Sequence, residues 1–184
     1  MARKVFAKNH IIMFDIDIIS IAMAAAAMVA FAIPFYVNQR KVKKEKSDRT
    51  NKITALSKSH GLNIDIQDLW RNQYFVGLDA HQNKLIYIGD LDEMDPKIIY
   101  LDEVKIVKVV ESSRMVGPKG NSRKVVDGLQ LQLINNHGKS IGDLVFFDGD
   151  KFSDLVGEPI LVKKWEATIN AAIKNQMKKD SIVL

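Results

Sequence analysis

The chain has 184 residues, 47% of them hydrophobic and 27% charged, which leaves room for one ordinary domain plus an appendage and argues against disorder along its whole length. It contains no cysteine, so disulfide scaffolds, thiolate metal sites, iron–sulfur clusters and cysteine nucleophiles are all excluded. The formal net charge is +5, but it is unevenly spread: residues 1–17 contribute +1, residues 38–60 contribute +6 and residues 61–184 contribute −2. A nucleic-acid-binding domain carries its positive charge on its own folded surface, so this distribution argues against a nucleic-acid partner.

Residues 1–17 form a short N-terminal segment with Arg3, Lys4 and Lys8 against Asp15 and Asp17. Residues 18–37 follow without a single charge. As a helix, a stretch of that length spans roughly 30 Å, the hydrocarbon thickness of a bilayer. Three readings compete: a transmembrane anchor, a cleaved signal peptide with its site near Ala30-Phe31-Ala32, and a buried helix of a soluble protein. The apolar run continues past Ala32 and meets a dense basic run, which is a stop-transfer pattern and favours the anchor. Seven basic residues lie in residues 38–52 against three in residues 1–17. The basic side stays inside, so the N-terminus is expected outside and the C-terminal domain in the cytoplasm. Ala22, Ala26 and Ala30 fall four apart and offer a smooth stripe for packing against another transmembrane helix.

Residues 38–61 predict a basic juxtamembrane stalk, helical up to a left-handed cap at Gly61. Arg40, Lys41, Lys43, Lys44 and Lys46 are its candidate contacts to anionic lipid, each adding about 1 kcal/mol near a charged surface. The same run also serves simply as a topology signal.

Residues 62–184 predict a β-rich domain. Residues 62–72 are expected to be a connector. Strands are expected at 74–79 and 84–90 around the turn 80–83, then at 98–101, 104–111, 129–133 and 140–147, which argues for an antiparallel sheet or partial barrel in an α+β fold. The loop 112–124, with Arg114, Lys119, Arg123 and Lys124, is expected to be either an anion or partner contact or a flexible solvated turn. A C-terminal amphipathic helix over 159–178 carries Leu161, Trp165, Ile169, Ile173 and Met177 at a four-residue spacing, widened by Ala172, and should close the sheet.

The order of these elements, ending in a helix with a central Trp165, resembles the pleckstrin-homology-like architecture. The runs FVGLDAHQNKLIYI, VKIVKVVE and FFDGDKFSDLVGEPILVKKWEATIN are similar to uncharacterised bacterial single-pass membrane proteins. The resemblance covers residues 62–178 and implies a bacterial cytoplasmic-membrane location and a protein partner. Phosphoinositide-binding members carry several bases in the first hairpin loop. Here the loop at 80–83 has only Lys84 and His81 beside it, so that mode of headgroup binding is not implied.

No catalytic motif is present: no HExxH, no GxSxG, no dinucleotide fingerprint. Asp148, Asp150 and Asp154 fail the calcium-loop pattern, with Phe152 at the fifth position and Pro159 at the twelfth. The expectation is a non-enzyme without cofactor, metal or small-molecule substrate: a membrane-anchored adaptor or, alternatively, an accessory subunit acting mainly through its alanine-rich helix.

Overall fold

The computed structural model describes residues 18–118 and 120–182. They form a long helix α1 (Ile18–Ser59), seven strands and a C-terminal helix α2 (Glu158–Ile182). The chain divides into two compact units, the first ending at Asn51 and the second beginning at Lys52.

The described part of the first unit is α1 alone. Alanine is the best helix former, and no glycine interrupts the run, so the helix passes through both Pro34 and Ser47-Asp48.

The second unit begins with the end of α1, which stops where glycine permits it. Gly61 adopts φ +69°, its N–H donates to Lys58 O at 2.9 Å, and Leu62 N–H donates to Ser57 O at 2.9 Å. This pair of bonds is the Schellman cap, and its hydrophobic partner is present, because buried Leu62 clusters with Ile53 and Leu56.

The first sheet is an antiparallel meander of β1 (Ile66–Trp70), β2 (Tyr74–Asp79), β3 (Lys84–Ile88) and β4 (Pro96–Tyr100). Both of its faces are covered. Tyr74, Val76, Leu78, Leu85 and Tyr87 point into the main core, while Phe75, Ile86 and Ile88 point into a smaller core with Ile53, Leu62 and Leu91. Burial on both faces explains why β2 and β3 read as continuous apolar runs rather than alternating ones. Gly77 is required by this closeness, since a Cβ there would lie 2.9 Å from Ile64 Cγ2.

The expected connector at 62–72 contains β1. Its turn is built without glycine: Arg71 and Asn72 both take positive φ, 54° and 51°. An edge strand of five residues, half exposed, carries no clear alternation.

The second sheet comprises β5 (Ile106–Val116), β6 (Arg123–Ile134) and β7 (Ser140–Asp148). Leu129, Leu131 and Leu133 alternate into the main core as their spacing predicts. The expected loop 112–124 is shorter: β5 runs on to Val116 and β6 starts at Arg123, with a bulge at Ser112/Ser113. The fold is therefore α+β with two antiparallel sheets, and among the described residues no strand pairing joins them into a closed barrel.

α2 packs Val162, Trp165, Ile169 and Ile173 into the main core. The expected stripe differs at both ends, since Leu161 is half-buried and Met177 is 51% exposed. A strict four-residue repeat drifts about 40° per step around a helix, so it leaves the buried face, whereas 3- and 4-residue steps stay on it.

Candidate interaction surfaces

The two buried carboxylates of the second unit, Asp79 and Glu158, are satisfied within the fold. Asp79 accepts N–H bonds from Asn63 (2.8 Å), His81 (3.0 Å) and Gln82 (2.9 Å). Burial pushes its carboxyl upward, but these donors outweigh it and hold the group below the usual carboxylate range. Glu158 is likewise pushed up by burial and pulled lower overall, chiefly by the Arg71 guanidinium 2.5 Å away. Burial raises the hydroxyls of Tyr74 and Tyr87, and Tyr87 donates to Val145 O at 2.8 Å. Asp68 accepts both from Trp165 Nε1 (2.8 Å) and from Lys164 Nζ (2.6 Å), which ties α2 to β1. No cluster of three or more His, Asp or Glu able to hold a metal ion is present among the described residues.

The true first hairpin is β1–β2, and its one base is Arg71. That guanidinium is held by Glu158, by Asp154 O at 2.5 Å and over the Phe152 ring at 4.7 Å. It locks the start of α2 to the hairpin and is not offered to a headgroup.

Arg40, Lys41, Lys43, Lys44 and Lys46 all lie exposed on α1. At about 100° per residue they ring the helix rather than sharing a face. Arg40 donates to Tyr36 Oη and sits 4.4 Å over its ring, which joins the basic run to the aromatic end of the apolar stretch. Ala22, Ala26 and Ala30 are also exposed and share an arc of about 80°. Phe31 and Phe35, whose rings lie 5.3 Å apart, occupy the opposite side. Among the described residues one helix is long and apolar enough to cross a membrane, and none of its apolar window is buried.

The residues expected to form one basic loop are divided. Arg114 lies on β5, Arg123 and Lys124 on β6, and Lys119 lies outside the described residues. Arg114 pairs with Asp127 at 3.3 Å and Lys124 with Glu111 at 2.6 Å. A flexible loop does not account for them; they decorate a two-stranded ribbon.

A cleft of about 390 Å³ is the surface that sequence reasoning missed. It lies between β4 and β7, each the last strand of its own sheet, so two strand edges flank it. Ile99, Leu133 and Leu144 supply apolar walls, with Tyr100 and Ile141 exposed at the rim. Lys97, Glu103 and Asp143 supply its charges. Edge strands carry unpaired main-chain groups that an extended peptide can meet.

No protein family, curated protein or solved structure matches this chain.

Proposed function

We propose that this protein is a non-catalytic interaction module anchored in a membrane by the apolar half of α1. The basic run that follows contacts anionic headgroups, and the C-terminal unit offers the β4/β7 cleft to an extended segment of a protein partner. The observation that carries the reading is the contrast in burial. The apolar window of α1 is wholly exposed, whereas the apolar side chains of the second unit fill two cores. A bare apolar helix of this length finds its solvent in lipid. Two meander sheets of four and three strands followed by one helix support the pleckstrin-homology-like reading of the C-terminal unit. The domain is taken to be cytoplasmic on the charge asymmetry of its flanks.

Alkaline carbonate washing of membranes containing the full chain tests the anchor: the protein stays in the pellet, and its release into the supernatant overturns the proposal. Affinity purification from detergent-solubilised membranes tests the cleft. Ile141→Arg, at the exposed rim, should lose a co-purifying protein that the unaltered chain retains.

A further inference from the structure

We propose that the tip of the β5–β6 hairpin is a second lipid-contact site, at which an anionic bilayer surface takes up Met115 and Val116 between the basic side chains of Arg114, Arg123 and Lys124. This contact concerns the C-terminal unit alone and does not depend on α1 being the anchor.

The hairpin outruns its own sheet. β7 pairs with β6 only between Gly128 and Ile134, so residues 113–116 and 123–126 form a two-stranded ribbon that no third strand joins among the described residues, beyond the bulge at Ser112/Ser113. A two-stranded ribbon has no core of its own, and apolar residues at its end stay in water unless something covers them. Met115 is 65% exposed and Val116 41%. The turn that presents them is tightly built, since Gly117 has φ +128° and a Cβ there would lie 2.7 Å from Asn121 O.

The register sorts the side chains. Arg114 lies opposite Val125 and Val116 opposite Arg123, so arginine and valine alternate diagonally on one face. Met115 lies opposite Lys124 on the other face. Residues 113–126 contain no acidic side chain. Asp127 and Glu111 pair with the ribbon at its base, where their partners Arg114 and Lys124 remain 70% and 59% exposed, and Asp154 lines the groove beside Arg123 and Lys124. Exposed pairs of this kind are weak and exchange readily for other anions. Beside the ribbon, residues 153–155 close a groove of about 240 Å³ with Arg123 and Lys124, and the next segment exposes Val156 and Ile160. Apolar side chains near the end of the ribbon, with Arg123 and Lys124 directly across from them and Arg114 behind, match the depth profile of an anionic bilayer surface, because long cationic stems reach back to the phosphates. The apolar atoms enter the interface and the cations remain with the phosphates.

The chain has no cysteine, so Met115→Cys gives a unique attachment point for a polarity-sensitive bimane in the full-length protein. The labelled protein is mixed with vesicles of phosphatidylcholine alone or with phosphatidylglycerol added. Emission shifts to the blue with the anionic vesicles only, and added salt reverses the shift. Each base removed should lower the buried-to-exposed ratio of the label about fivefold, so Arg123→Gln loses about fivefold and the variant with Arg114→Gln, Arg123→Gln and Lys124→Gln about a hundredfold. Lys163→Gln with Lys174→Gln, on exposed positions of α2, should leave it unchanged. Equal shifts in both vesicle types, or a shift that survives the triple variant, overturn the proposal. So does the absence of any shift, which would leave the tip to a protein partner. Flotation with phosphatidylcholine vesicles reports on α1 separately.

Discussion

Residues 18–37 and strands β2 and β3 are all rich in apolar side chains, and they meet opposite fates. Met28 and Phe31 are each 72% exposed, whereas Val76, Leu85 and Ile86 are 0% exposed. The difference is not hydrophobicity but the presence of partners. β2 and β3 send alternate side chains into two cores because α2 and the second sheet cover one face and the end of α1 covers the other. The apolar part of α1 has no protein to cover it among the described residues. Apolar density by itself therefore names a need for shelter, and only tertiary packing tells whether the chain or a lipid phase meets it.

The most direct way to break the sheltered side is Trp165→Ala. Trp165 is fully buried and its Nε1–H donates to Asp68, so the substitution leaves both a cavity and an acceptor that has lost one of its donors. The cost should be about 3–5 kcal/mol, a large part of what a domain of this size possesses. Urea unfolding followed by near-ultraviolet circular dichroism should show the tertiary signal collapse at much lower denaturant. The helical signal of α1 and the retention of the protein in membranes should persist. If both regions fail together, the division between them is wrong.

What the sequence made legible follows the same line. Residues 18–37 and the basic run after them announce themselves by composition, which needs no tertiary information. The Leu129-Leu131-Leu133 alternation and the Gly61 cap are local patterns and are read correctly. β1 escapes because Gln67 and Asp68 blur its pattern and its turn uses Arg71 and Asn72 where glycine would have marked it. The ribbon escapes because Gly117, Gly120 and the bases look like a loop, and only the register with β6 extends β5 to Val116. The β4/β7 cleft has no local signature at all, since Ile99 and Ile141 come to line one cleft only through the packing of two sheets.

Acid sharpens the comparison, because residues 18–37 carry no titratable side chain except Tyr36 while the folded unit depends on two carboxylates. Asp79 and Glu158 both hold their protons less tightly when folded. Their contribution is fully present above the unfolded carboxylate pKa of about 4 and is lost as pH falls through the lower folded values. The melting temperature of the C-terminal unit should therefore drop below about pH 4 while the helical signal of α1 holds. Asp79→Asn should cost about 1–3 kcal/mol at neutral pH, because three backbone donors lose an ionised acceptor. It should also flatten the acid limb, leaving the share that belongs to Glu158. A limb as steep as that of the unaltered protein would show that Asp79 takes no part in it.

The smallest effect lies where α1 passes from exposure to burial, and its sign is opposite. Ser57 is 3% exposed, and its hydroxyl has no hydrogen-bond partner among the described residues. Ser57→Ala removes a desolvated polar group and installs a better helix former, so it should stabilise the C-terminal unit by about 1 kcal/mol. For a domain of this size that is a rise of about 3 °C in melting temperature. Ser47→Ala makes the same change in helix propensity on the exposed part of α1 and should leave that transition unmoved. The pair isolates burial from propensity within one helix. Equal effects from both would mean that the end of α1 is not part of the core it covers. A loss of stability from Ser57→Ala alone would mean that the buried hydroxyl is paired with water.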